Sequence, residues 1–117
     1  MTRKQTALKK PRRTRISKRR LELLIEAATV DCHNESEQTT GWFTMIDENL
    51  AVPFETMVLG VAVTVKGVEL NNNEQIVAVC MRGRDRQRLP ILDLPLPTPE
   101  PSGAAWIEAY RQWRGDG

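Results

Sequence analysis

Apolar residues recur along this chain with two different periods, and the change of period divides it. Leu21, Leu24, Ile25 and Ala28 fall at i, i+3, i+4 and i+7, the spacing of one helix face. Ser17, just upstream, suits an N-cap, so a first helix is predicted over about 18–28. Residues 35–54 repeat the pattern, with Trp42, Met45, Ile46 and Asn49 on one face and Phe43 and Leu50 widening it. Asn34 as N-cap and Glu37 three residues later form a capping box. Pro53 disfavours α geometry in the residue before it, so the second helix ends there after about four turns. It delivers a carboxylate pair, Asp47 and Glu48, to its C-terminal end.

Beyond Pro53 the period falls to two. Met57, Leu59, Val61, Val63 and Val65 alternate with small or polar residues, apart from Val58 and Ala62, which predicts strands over 54–70. Gly60 and Gly67 mark a bend and a turn, and Asn71-Asn72-Asn73 a loop. Residues 75–81 are β-branched and mostly apolar, as in a central strand. Residues 82–88 form a turn-like basic run before a further short strand over 89–92. Prolines at 90, 95, 97, 99 and 101 then fix an extended strap. A last helix opens at Ser102 or Gly103 and carries Trp106, Ala109, Tyr110 and Trp113 on one face. Leaving those rings in water is costly, so it docks on the body. The expected fold class is α+β: a small, strongly bent antiparallel sheet or SH3-like barrel, flanked by two N-terminal helices and one C-terminal helix.

Charge changes this picture at one end. The net charge of +2 conceals ten lysines and arginines and no acid in residues 1–20, against seven basic and 15 acidic residues in the rest. Residues 1–17 are therefore expected to be a disordered basic arm, with residues 18–117 as the single folded domain. Arg12, Arg13, Arg15, Lys18, Arg19 and Arg20 could engage a polyanion such as nucleic acid by displacing counterions. The same composition also suits a solubilising tail. The arm has no aromatic residue for base stacking, and no basic recognition helix points to a helix-turn-helix.

Some chemistries are poorly served. No apolar run is long enough to span a bilayer, and no membrane partner is expected. The N-terminus lacks the apolar core of a secretory signal. Two cysteines, Cys32 and Cys80, make no disulfide framework and suit a reducing cytoplasm. Cys32 and His33 are adjacent, which is poor spacing for zinc. With a single histidine and no nucleophile elbow, Walker or dinucleotide glycine pattern, an enzyme is not expected.

The body resembles the CcbP-type small calcium-binding proteins, a bacterial family of acidic cytoplasmic proteins, from about Leu21 to Trp113. The family's helix motif is matched by Glu35-Ser36-Glu37-Gln38, Gly41-Trp42-Phe43, Ile46-Asp47-Glu48-Asn49-Leu50 and Val52-Pro53-Phe54. Val30-Asp31 precedes it as in the family, and Gly60, Val63 and Val65 match a family strand. Leu89-Pro90-Ile91-Leu92-Asp93-Leu94 approximates a later motif, and Trp106, Tyr110 and Trp113 a terminal aromatic helix.

The resemblance implies non-enzymatic, reversible Ca²⁺ binding, as buffer or sensor, by carboxylates and without an EF-hand loop. Calcium takes 6–8 oxygens, so a site must gather donors from separate segments. Asp47 and Glu48, with the amide of Asn49, match the family motif; Asp31, Glu35 and Glu37 form a second cluster at the other helix end. Glu35 and Asp47 are separated by roughly 18 Å of helix and cannot share one ion. Asp93 and Glu100 are further donors if the strap passes close. The basic arm and the acid-poor loop 71–74 depart from the family pattern. They leave open the alternative of a nucleic-acid-associated protein, tethered by its arm, in which the metal site is lost.

Overall fold

A computed structural model describes residues 16–115. Three helices and four strands follow in the order α1 (Lys18–Thr29), α2 (Glu35–Asn49), β1 (Phe54–Val58), β2 (Val61–Leu70), β3 (Ile76–Arg82), β4 (Asp85–Pro90) and α3 (Ala104–Arg114). The strands form an antiparallel meander in the order β1-β2-β3-β4. A short 3-10 turn, Ile91–Asp93, leads into the proline strap.

The helix starts are fixed by their neighbouring side chains. Ser17 Oγ accepts from the Arg20 N–H at 3.1 Å, and Asn34 Oδ1 from the Glu37 N–H at 2.8 Å. Glu37 Oε1 reaches back past the cap to the His33 N–H at 2.6 Å, so the capping box spans one residue more than its sequence pattern requires. α1 and α2 cross where Gly41 meets Ala28: a Cβ at Gly41 would overlap the Ala28 carbonyl oxygen.

Trp42 is the centre of the core. It is fully buried, and its ring lies 6.4, 5.5 and 5.8 Å from those of Trp106, Tyr110 and Trp113 on α3. Its indole N–H has no hydrogen-bond partner among the described residues. Ile46, Leu50, Ile107, Ile91 and Leu94 pack around this cluster, over a sheet face made by Val65, Val68, Ile76, Ala78 and Cys80.

The β1–β2 hairpin turns at Leu59-Gly60, both with positive φ (50° and 79°), the geometry of a two-residue type I′ loop. Pairing Val58 with Val61 across this turn exchanges even for odd positions on the core face. Met57 and Leu59 are therefore exposed, at 54% and 99%, and the alternation read at 57, 59, 61, 63 and 65 holds only from Val61 onward. A bulge between Val65 and Gly67 inserts Lys66 and moves the core face back to Val68 and Leu70.

The sheet is open and not a barrel. β1 and β4 are its edges, and helix side chains fill the face that a barrel would close upon itself. The stretch 82–88 is mostly strand, with Gly83-Arg84 as its turn, while residues 91–93 coil into the 3-10 turn instead of extending. Asn49, expected on the apolar face of α2, is exposed; Thr39, Trp42, Ile46 and Leu50 carry that face.

Candidate functional site

The C-terminal end of α2 carries three consecutive oxygen-bearing side chains. Asp47, Glu48 and Asn49 are all exposed there. Asn49 donates its Nδ2 to the Met45 carbonyl at 2.8 Å, which leaves the amide oxygen as its outward acceptor. The last turn holds no basic residue. Two carboxylates thus sit at the partial negative end of a helix, where a cation is favoured and an anion is not.

A distant segment meets this end. The Ala51 N–H donates to the Ser102 carbonyl at 2.8 Å. Gly103, in the left-handed region at φ 89°, packs so closely on Asn49 that a Cβ would overlap the Asn49 carbonyl oxygen. The end of the proline strap is thereby fixed beside the end of α2, and Glu100 stands two residues from the Ser102 contact. The sequence signal for this contact was the Ser-Gly pair before the last helix; its partner was not legible. Asp93 is carried elsewhere. It lines a cleft of about 180 Å³ with Gln75, Tyr110 and Arg114, at the opposite end of α3.

The second predicted cluster lies at the start of α2. Glu37 is engaged by the His33 N–H, Glu35 occupies the first helical turn, and Asp31 sits in the linker at φ 60°. All three are exposed, and Glu35 and Glu37 favour the helix dipole without any ion. Among the described residues, no three or more histidine, cysteine, aspartate or glutamate side chains converge closely enough to hold a metal ion. A calcium ion at Asp47 and Glu48 must draw its other donors from amide and carbonyl oxygens and water. That set is compatible with calcium but poor in charge.

Of the basic residues proposed for polyanion contact, Arg12, Arg13 and Arg15 lie outside the described residues. Lys18, Arg19 and Arg20 form the exposed first turn of α1. Positive charge is unfavourable at that end of a helix.

A small open sheet closed by three helices, with carboxylates at the ends of its central helix, defines an α+β domain. A family model described as calcium binding, that of CcbP, matches residues 22–114, and the chain belongs to this family. Calcium is accordingly its ion. The fold is similar to the crystal structure of Anabaena CcbP, with a TM-score of 0.65 over 87% of this chain and 94% of that one, at 17% identity. No curated protein matches the chain.

Proposed function

We propose that this protein is a cytoplasmic, non-enzymatic calcium buffer that takes the ion at the C-terminal end of α2. Asp47, Glu48 and Asn49 supply side-chain oxygens there, and no EF-hand loop is involved. The observation that carries this is the pair of carboxylates on the negative end of a helix whose last turn contains no basic residue. With two charged ligands, the dissociation constant belongs near the weak end of calcium sites, on the order of 10⁻⁴–10⁻³ M. Buffering is favoured over sensing because these donors stand on a finished helix end above a packed Trp42 core, so binding requires no opening. Two unpaired cysteines support the cytoplasm as location.

Calorimetric titration of calcium into wild type and Asp47→Asn/Glu48→Gln tests the site. The double variant should bind at least about tenfold more weakly, since affinity follows ligand charge. Glu35→Gln should bind as wild type. Equal affinity in wild type and the double variant would move the ion elsewhere, and a large calcium-induced change in tryptophan emission would favour a sensor.

Nucleic acid is a second candidate partner, favoured by the three cations on the positive end of α1. Gel retardation that survives Lys18→Gln/Arg19→Gln/Arg20→Gln unchanged would remove that turn from any such contact.

A further inference from the structure

The described residues segregate charge. After residue 20 the helices α1 and α2 and the linker between them carry seven acids and no lysine or arginine, whereas five of the seven remaining basic residues are Lys66, Arg82, Arg84, Arg86 and Arg88 of the sheet and its β3–β4 turn. All five are exposed. Arg88 forms an ion pair with Glu69 at 2.8 Å, and the charge of Arg86 also acts on that carboxylate.

The strand register brings this basic end against an apolar one. Thr64 of β2 pairs with Met81 of β3. Beyond that pair β2 runs three more residues to Val61 before its turn, whereas β3 runs one more, to Arg82. Both hairpin tips therefore point the same way, and the Leu59-Gly60 tip leads the Gly83-Arg84 tip by two residues, about 7 Å of strand. Leu59 at this leading tip is 99% exposed, and Met57 behind it is 54% exposed. Arg84, Arg82 and Arg86 stand in successive rows behind.

Leu59 is also strained. Its φ of 50° is a left-handed value that costs a leucine about 1–2 kcal/mol and that asparagine and glycine adopt readily. Folding thus gains nothing from a leucine here. An apolar tip ahead of a row of arginines matches the layering of a bilayer surface, with acyl chains beneath anionic headgroups. Duplex nucleic acid would account for the arginines but not for the leucine.

We infer that this end of the sheet is a docking surface for an anionic phospholipid bilayer, with Leu59 entering the headgroup–acyl boundary and Arg82, Arg84 and Arg86 contacting lipid phosphates. It is a peripheral contact: no helix among the described residues is long and apolar enough to cross a membrane.

The test is co-sedimentation of the full chain with vesicles of phosphatidylcholine alone and of phosphatidylcholine with phosphatidylglycerol. Wild type should bind the anionic vesicles and not the neutral ones. Leu59→Asn should weaken partitioning by about tenfold, the loss expected for one buried leucine side chain. The same variant should melt at or above the wild-type temperature, because Asn-Gly is the preferred type I′ pair, so unfolding is not an explanation. Arg84→Gln/Arg86→Gln should weaken binding about fivefold per arginine. Anionic-vesicle binding unaltered by Leu59→Asn would assign the attraction to the basic arm alone and overturn the inference. So would retardation of duplex DNA that is lost in Arg84→Gln/Arg86→Gln while vesicle binding persists. Calcium affinity should be unchanged in both variants, which separates this surface from the α2 site.

Discussion

Gly41→Ala sets two well-defined effects against each other. On helix propensity alone the change is favourable by about 1 kcal/mol, because Gly41 is interior to α2. Packing opposes it. The added methyl would overlap the Ala28 carbonyl oxygen, with the carbonyl carbon at 3.4 Å and Cys32 Sγ at 3.5 Å. The overlap is with the carbonyl oxygen itself, so α1 and α2 must move apart to admit the methyl. The obstacle is main chain and cannot rotate away, which places the cost at or beyond the upper part of the 1–3 kcal/mol range for overpacking. The net effect is a destabilisation of about 1–2 kcal/mol, or roughly 4–16 °C in Tm for a domain of this size. Thermal and urea melts followed by tryptophan emission report it, since α2 carries the central ring of the aromatic cluster. Gly67→Ala is the control: nothing lies within 4 Å of a Cβ there, and its Tm should equal or exceed that of wild type. A Gly41→Ala protein as stable as wild type would show that the α1–α2 crossing is not the close contact described.

Two further outcomes follow from the ionisable groups. Burial pushes the Cys80 thiol up, whereas Cys32 is only half-buried, so a thiol reagent should modify one cysteine rapidly and the second only on unfolding. The hydrogen bond from Arg88 lowers the Glu69 carboxyl, helped by the charges of Arg88 and Arg86. A lowered folded value means that this contribution to stability is present above the ordinary glutamate range, about pH 4.3, and disappears as pH falls through the folded value. Arg88→Gln should therefore differ from wild type at neutral pH and converge with it in acid, with the Glu69 titration followed by NMR moving back up.

The features legible in the sequence were those whose partners lie close along the chain. The Asn34–Glu37 box, the Ser17 cap, the halt before Pro53 and the Trp42 face are settled within one or two helical turns. The aromatic face of α3 was legible because so much ring surface has no alternative to burial. The type I′ turn was not, since Leu59 is not a residue that announces a left-handed conformation. The exchange of core parity across it followed from that omission. Nothing in the alternation singles out Lys66, yet as an inserted bulge it restores the core face for Val68 and Leu70. Gly41 and Gly103 were visible as glycines, but what they make room for, the Ala28 and Asn49 carbonyls, depends on crossings between distant elements. The carboxylates at the end of α2 were likewise legible as residues, while the strap end that meets Ala51 at Ser102 was not.

The dependence of Trp42 on α3 has a consequence for how the chain is made. Its three ring partners are all supplied by residues 106–113, which are synthesised after α1, α2 and the sheet. Until they emerge, α1, α2 and the sheet present an uncovered tryptophan and a vacant groove, the kind of surface that chaperones hold. A nascent fragment ending at Gly103 should accordingly show no cooperative melt and should be released as a folded unit only when α3 is added.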